Sequence, residues 1–149
     1  MKIQTKYHGE IDISQEKIIR FNGGIPSFLD EKAFTILPFG DGTPFFILQS
    51  VETPGLAFVV VSPFDFFADY EVKLSDQVIQ ALEIDTQEDI VIFTTLTIQE
   101  PFKNTTTNLQ GPIVINDKKK LGKQVILADS PYKTKHLLPS LLAHLGKGE

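Results

Sequence analysis

Residue types that most often carry catalysis or bind metals are sparse in this sequence. Cysteine is absent, which excludes disulfides, thiolate nucleophiles and cysteine-ligated metal sites. The histidines are His8, His136 and His144, and the last two are eight positions apart. A helical metal pair needs a spacing of four, so we interpret them as ordinary polar residues. Asp85 and Asp89 could form an acid–base pair, but scattered surface carboxylates produce the same spacing.

Motifs that would bind a cofactor or activate a nucleophile are also missing. The sequence contains no dinucleotide fingerprint, P-loop, nucleophile elbow or zinc-protease motif. We therefore predict a protein that is not an enzyme and that needs no cofactor or metal. No apolar run approaches the ~18 residues of a membrane span. The first residues, Met1–Lys6, lack the apolar core of a signal peptide, so we expect a cytoplasmic protein.

The segment from Ser62 to Glu71, called here the aromatic–acidic segment, combines four aromatic rings with three carboxylates. In one interpretation it is an irregular connection whose rings close one end of a barrel. In the other, one or two rings stay exposed as anchors for a protein partner, with the acidic residues around them. Both can hold together, with some rings inside and others outside.

Two further segments with informative patterns lie between residues 104 and 128. The polar stretch Asn104–Asn108 leads into the strongly β-prone run Gly111–Asn116, which indicates an edge strand followed by a central one. The loop Asp117–Lys123 then joins that run to Gln124–Ala128 and carries four lysines. The pattern predicts a β-hairpin with a basic tip, which is either solvated or in contact with a phosphate backbone or an acidic partner.

Short apolar and β-branched runs separated by Gly, Pro, Asn and Asp predict a mostly β chain. We predict strands at Lys2–Tyr7, Lys17–Phe21, Ala33–Pro38, Phe45–Ser50, Leu56–Ser62, Glu71–Leu74, Ile90–Ile98, Gly111–Asn116 and Gln124–Ala128. Several runs are apolar on both faces, so their strands must be covered on both sides, as in a barrel with decorated walls or in two stacked sheets.

One or two short helices complete the prediction. Ser75 is a plausible N-cap for a helix through Leu82, with an apolar face. Leucines recur at helical spacing over Lys133–Leu145, but Pro139 lies inside that stretch. We expect Pro139 to open a second short helix and Leu138 before it to be extended. Residues 146–149 should be frayed.

The length of the chain limits the number of domains, and its charge limits the class of binding partner. The 149 residues suit a single domain spanning 1–149, and Phe occurs 12 times. Residues 1–100 hold 16 acidic and 6 basic side chains, whereas residues 101–149 hold 3 and 8. An acidic body with a net charge of −5 disfavours binding to nucleic acid.

Four blocks of sequence, in this order, resemble the flagellar assembly factor FliW family from about residue 15 to about residue 135. The blocks are Phe21–Phe28, Leu48–Ser50, Ser62–Glu71 and Thr107–Asn116 with its continuation Gly122–Leu127. The last block is the most specific. Gly111 is a mild departure, since a small residue, usually Ala, is expected before Pro112. The resemblance carries nothing beyond Lys135.

The resemblance implies a cytoplasmic, non-enzymatic motility protein built as a compact, closed or nearly closed β-barrel. Such proteins bind flagellin as a chaperone or sensor of the unsecreted subunit. They also bind the RNA-binding regulator CsrA and relieve its repression of flagellin translation. The two partners compete, so flagellin secretion frees the factor to antagonise CsrA. We expect no direct nucleic-acid or membrane contact and a free protein that is a monomer.

On that reading, we predict which residues bind the partners. The basic surface that CsrA needs to hold RNA would be attracted to an acidic face with aromatic anchors. The predicted CsrA contacts are Phe66, Phe67, Asp69, Tyr70 and Glu71. Flagellin presents apolar amphipathic helices, so its binding needs an apolar strip. The predicted strip consists of exposed Phe side chains or the leucine-rich region, represented by Leu137, Leu138 and Leu141.

One alternative from a different class stays open at this point. A β-barrel of the OB type could bind single-stranded nucleic acid through the Lys118–Lys123 hairpin and nearby aromatic rings. The net charge disfavours it.

Overall fold

The computed structural model of the chain describes residues 1–139. Its strands are β1 (Lys2–Thr5), β2 (Gly9–Asp12), β3 (Ile19–Arg20), β4 (Ala33–Pro38), β5 (Phe45–Ser50), β6 (Ala57–Val61), β7 (Ile90–Thr97), β8 (Thr106–Thr107), β9 (Ile113–Asn116), β10 (Leu121–Gln124) and β11 (His136–Leu137). The α-helix α1 spans Asp76–Ala81, and single 3-10 turns lie at Gln15–Lys17, Pro63–Asp65, Gln87–Asp89 and Phe102–Asn104. None of the helices in this part of the chain is long and apolar enough to cross a membrane.

Seven strands form a nearly closed ring, which confirms the predicted mainly β, barrel-like fold. The order around the ring is β3–β4–β5–β6–β7–β9–β10, and β10 returns to β3. This last junction is parallel and consists of one residue pair, Leu121 with Arg20. The other junctions are antiparallel. Outside the ring, β8 pairs with the end of β7 and β11 pairs with β8.

The barrel wall is apolar on both faces where the sequence predicted it to be. Strand β9 shows this most clearly, because Ile113 and Ile115 belong to the core inside the ring, with Phe21 and Phe34. Val114, which points to the opposite face, belongs to a second core beneath α1. Alternate residues of this strand therefore pack into two cores, one inside the barrel and one on its outer wall.

Helix α1 is fixed at both ends by polar side chains. The Ser75 hydroxyl accepts a hydrogen bond from the Val78 amide, as predicted for an N-cap. At the other end, the buried Asn116 side chain donates to the carbonyls of Leu82 and Glu83 at 2.8 and 3.1 Å. Asn116 therefore ties the end of the helix to the end of β9.

The same asparagine explains why the basic hairpin is shorter than predicted. Its Oδ1 accepts from the amides of Lys118 and Lys119, which tightens the turn so that β10 begins at Leu121. The predicted strand at Gln124–Ala128 is correspondingly wrong in its bounds. Val125 and Leu127 still donate to the chain beside β9, but Pro112 has no N–H to return the bond.

Other departures from the predicted elements have simple causes. The segment Glu71–Leu74 is not a strand, because it leaves the ring and crosses to α1 without a pairing partner among residues 1–139. Strands β2 and β11 were not predicted, since each is short and depends on a partner strand. Strand β8 lies within the polar stretch Asn104–Asn108 that was predicted as an edge strand, but it is flanked by β7 and β11. The leucine-rich stretch begins with β11 rather than a helix. The helix expected after Pro139, the frayed end at 146–149 and Leu141 lie outside the described residues.

The N-terminal hairpin β1–β2 forms a separate two-stranded sheet that is attached to the barrel by a buried glutamine. The Gln49 Oε1 accepts a hydrogen bond from the Lys6 amide at 3.0 Å. Its Nε2 donates to the carbonyls of Ser50 and Pro54. One fully buried side chain therefore holds both the hairpin and the loop that follows β5.

Candidate protein-interaction surface

The aromatic–acidic segment folds as a compact turn between β6 and α1. Pro63 is buried and opens the 3-10 turn, where its fixed φ is favourable and its missing N–H is not needed. The amides of Phe66 and Phe67 both donate to the Pro63 carbonyl, at 3.1 and 2.8 Å. The chain then turns again, and the Tyr70 amide donates to Phe67.

A cluster of five rings joins this segment to the C-terminal part of the chain. Tyr70 packs edge-on against Tyr132 with centroids 4.7 Å apart, and Phe64 lies 5.6 Å from Tyr70. His136 lies 6.3 Å from both Phe67 and Tyr132. Tyr132 and His136 could not be connected to the segment from local sequence patterns, because they follow it by more than 60 residues.

Tyr70 is a core residue rather than an exposed anchor, so this part of the sequence prediction is wrong. Its side chain is 4% exposed, and its hydroxyl donates to the Leu109 carbonyl at 2.7 Å. Burial, with a smaller contribution from Tyr132, raises the pKa of the phenol well above its ordinary value. Tyr70 therefore stays neutral and connects the segment to the loop between β8 and β9.

The other predicted contacts in this segment do reach the surface. Asp69 and Glu71 are exposed, while Phe66 and Phe67 are half-buried. Phe64, which was not among the predicted contacts, is 45% exposed. The Glu71 amide donates to the Tyr132 hydroxyl at 3.0 Å, which fixes the backbone under these carboxylates. The segment thus presents two carboxylates beside partly exposed rings, with Tyr70 as their buried support.

The leucines of the C-terminal region divide between core and surface. Leu137, in β11, is 64% exposed, whereas Leu138 is 8% exposed and its amide donates to the Thr105 carbonyl at 3.1 Å. Leu138 is therefore structural, contrary to the expectation of an exposed strip there. Leu137 follows directly on His136, whose ring contacts Phe67. The two sets of predicted partner contacts are thus joined through adjacent residues of β11, whose side chains point to opposite faces of the strand.

Two of the four lysines of the basic hairpin are paired with carboxylates. The Lys119 Nζ lies 3.5 Å from Glu83 and 3.7 Å from Asp85, and Lys120 pairs with Asp117 at 2.6 Å. Exposed pairs of this kind contribute little to stability, but they reduce the positive potential of the hairpin. Within residues 1–139, no cluster of His, Asp and Glu side chains is arranged to hold a metal ion.

A second aromatic surface, not found from the sequence, lies at another place on the barrel. Four rings form a continuous row of edge contacts, called here the aromatic row. The centroid separations are 5.7 Å for Tyr7–Phe39, 6.3 Å for Phe39–Phe45 and 5.8 Å for Phe45–Phe102. Tyr7, Phe39 and Phe102 are 43, 37 and 40% exposed. Rings from three parts of the chain, the turn after β1, the β4–β5 hairpin and the turn at Phe102, therefore make one connected apolar surface.

Comparison with known proteins agrees with this architecture. A family model described as "FliW protein" matches residues 2–138. A flagellar assembly factor FliW of Geobacillus sp. (strain WCH70) is 56% identical over 138 residues, which cover 93% of this chain and 95% of that protein. One from Bacillus subtilis (strain 168) is 51% identical over 136 residues, covering 91% of this chain and 95% of that protein.

A crystal structure of the flagellar assembly factor FliW superposes with a TM-score of 0.87 at 51% sequence identity, and the match covers 94% of this chain and 98% of that one. Sequence and fold agree over nearly the same residues. The chain therefore belongs to the FliW family.

Proposed function

We propose that this protein is a cytoplasmic flagellar assembly factor that binds flagellin and CsrA in turn. Binding to CsrA lowers the affinity of that regulator for RNA and so relieves repression of flagellin translation. Membership of the FliW family, whose curated relatives are named flagellar assembly factors, supports the general role. The surface described above supports the choice of partners.

The observation that carries the proposal is the contact between Phe67 and His136, whose ring centroids are 6.3 Å apart. It places the acidic, aromatic surface suited to CsrA one residue along β11 from Leu137, the exposed leucine suited to an apolar partner. Two proteins that each cover an ordinary interface of ~800 Å² around these residues would overlap, so we expect the two partners to compete.

Electrostatics favours CsrA as the partner of the aromatic–acidic segment. An RNA-binding protein needs basic surface, and the first hundred residues of this chain carry 16 acidic side chains. Asp69 and Glu71 are exposed beside Phe67, so they attract such a surface and repel RNA phosphates nearby. The half-buried rings add apolar contact area at the centre.

Flagellin requires an apolar surface for its amphipathic terminal helices. Leu137 offers one exposed aliphatic contact at the edge of the ring cluster. The aromatic row offers a larger apolar contact, made of four connected rings of which three are 37–43% exposed. A helix could lay its apolar face along that row.

Nothing in the described residues favours the nucleic-acid alternative. Two of the four lysines in the hairpin region are paired with carboxylates.

Light scattering during gel filtration tests the proposal most directly. The chain is analysed alone, with CsrA, and with CsrA plus flagellin. We expect a monomer when it is alone, a stable complex with CsrA, and dissociation of that complex by flagellin. A folded sample that forms no complex with either partner would overturn the proposal, and a three-protein complex would overturn the competition.

A further inference from the structure

The backbone from Gln124 to Ala128 forms one wall of an open groove on the outer side of the barrel. Glu71, Lys73, Ser75 and Val78 line the opposite side. The groove has a volume of about 650 Å³, within the range of natural ligand pockets. It differs from the ring cluster, although Glu71 and Tyr132 border both.

One edge of this wall has unused hydrogen-bonding groups. The amides of Val125 and Leu127 donate to Pro112 and Gln110, at 2.8 Å each, on the side of β9. Backbone groups of an extended chain alternate in direction, so those of Ile126 and Ala128 point away from β9. Neither residue makes a backbone hydrogen bond within the described part of the chain. Strand β3, which covers the start of this edge, ends at Arg20 opposite Leu121.

The exposed edge lacks the usual protection against strand pairing. Natural edges are blunted by prolines, bulges or charged side chains, and here the charges, Lys123 and Asp129, lie only at the two ends of the edge. Here the edge residue Ile126 is β-branched and 58% exposed, and the next proline is Pro131. We propose that this edge accepts a short extended peptide from a protein partner, which adds as a strand to the barrel wall.

The floor and ends of the groove define the chemistry of that peptide. Val78 and Val125 belong to the core beneath α1 and lie in the floor, so alternate peptide residues should be aliphatic. Lys123 lies at one end of the edge and Asp129 at the other, and the Glu71 amide is bonded to Tyr132 near Asp129. An antiparallel peptide should therefore carry a cation near its N-terminus and an anion near its C-terminus.

This peptide site is distinct from the surfaces proposed for CsrA and flagellin, and its test needs neither of those proteins. The probe is the peptide acetyl-KVTVTE-amide, titrated into the full-length 15N-labelled chain and followed by amide chemical shifts. We expect saturable shifts centred on Ile126 and Ala128, and weaker binding of the charge-reversed peptide acetyl-EVTVTK-amide. Shifts centred elsewhere, no shift at millimolar peptide, or tighter binding of the reversed peptide would overturn the proposal.

Two variants separate backbone pairing from side-chain contact. Ile126→Pro removes an amide hydrogen that makes no internal bond, so the fold should survive, whereas peptide affinity should fall about tenfold or more. Ile126→Ala keeps that amide and should bind nearly as well as the wild type. Equal affinities for the two variants, with unchanged circular dichroism, would contradict strand addition. Concentration-dependent protection of the same amides without peptide would assign the edge to a second copy and overturn the peptide site.

Discussion

The hydroxyl of Tyr70 donates a hydrogen bond to the carbonyl of Leu109 at 2.7 Å, across 39 positions of the sequence. Both residues are buried, at 4 and 2% exposure. This bond joins the aromatic–acidic segment to the loop between β8 and β9, the two stretches that the sequence had singled out separately. The backbone that carries the exposed carboxylates Asp69 and Glu71 is therefore anchored to the barrel through Tyr70.

Replacing Tyr70 by Phe should destabilise the protein by about 1–3 kcal/mol, because it leaves the buried Leu109 carbonyl without its partner. Urea unfolding followed by circular dichroism measures this change. Phe64→Leu provides a control on the neighbouring ring, which is 45% exposed, and should cost less. A loss no larger than that of the control would show that the bond is not important for stability.

The burial of the Tyr70 hydroxyl, with a smaller contribution from Tyr132, predicts an alkaline dependence of stability. The pKa of Tyr70 is raised in the folded state, so the unfolded chain loses this proton more readily. The folding stability that the neutral Tyr70 contributes is fully present below about pH 10, the ordinary pKa of tyrosine. It decreases as the pH rises beyond that value. The difference in unfolding free energy between the wild type and Tyr70→Phe should therefore shrink above pH 10.

Glu31 should make the protein sensitive to acid. Its carboxylate accepts hydrogen bonds from the hydroxyls of Ser50 and Thr53, each at 2.6 Å, and these bonds lower the pKa of Glu31. The stability that the ionised Glu31 contributes is fully present above its ordinary pKa of about 4.5. It is lost as the pH falls through the lowered pKa. Glu31→Gln should therefore be less stable than the wild type at pH 7, with the difference shrinking towards pH 3.

Thr53→Val tests the assignment of that effect, since it removes one of the two donors. In a double-mutant cycle with Glu31→Gln the two changes should not be additive. Additive losses, or a difference from the wild type that is constant between pH 7 and pH 3, would contradict the prediction.

Two glycines of the FliW-like block should respond differently to alanine. A Cβ at Gly122 would lie 2.6 Å from the ring of Phe21, which is completely buried and cannot move away. Gly122→Ala should destabilise by about 1–3 kcal/mol. At Gly111 the nearest atoms are the side-chain amides of Gln124 and Asn108, at 2.9 and 3.1 Å, which are the ends of flexible side chains.

Gly111→Ala should therefore have an effect below about 1 kcal/mol, in keeping with the alanine expected there by resemblance. Thermal unfolding of both variants gives the comparison. Equal losses at the two positions would mean that Gln124 and Asn108 are as constrained as Phe21.

Reversing the charges of Asp69 and Glu71 to Lys should weaken binding to CsrA, and the loss should be largest at low ionic strength. Isothermal titration at several salt concentrations measures it. The control is the double variant Asp41→Lys with Glu52→Lys, which alters the net charge equally at exposed positions in other loops. Equal effects of the two variants would indicate general charge attraction rather than a contact at the segment.

Replacing Phe39 and Phe102 by Ser should weaken flagellin binding several-fold, because the aromatic row loses two of its exposed rings. Phe28→Ser is a suitable control, since Phe28 is 39% exposed and belongs to a different ring contact, with Phe58. Unchanged flagellin affinity in a folded double variant would leave Leu137 as the proposed apolar contact.

Much of the architecture could be predicted from local pattern. The bounds of β4 and β5 and the Ser75 cap agree with the sequence prediction, because alternation, flanking turn residues and a capping hydroxyl act within a few positions. The absence of cysteine and the acidic balance are likewise properties of composition. The two-sided burial of β9 follows from its uninterrupted apolar run.

The candidate interaction surface depended on contacts that no local pattern contains. Tyr70 and Phe64 have similar neighbours in the sequence, yet one is buried by the Leu109 carbonyl and Tyr132 while the other remains exposed. No acidic partner of Lys119 could be identified from the sequence, whereas in the structure its Nζ lies 3.5 Å from Glu83 and 3.7 Å from Asp85. The closure of the ring through β7–β9 and β3–β10, and the pairing of β11 with β8, also join distant residues. Sequence periodicity determines which face of a strand is apolar, but only the tertiary structure decides which strand, carbonyl or charge lies against it.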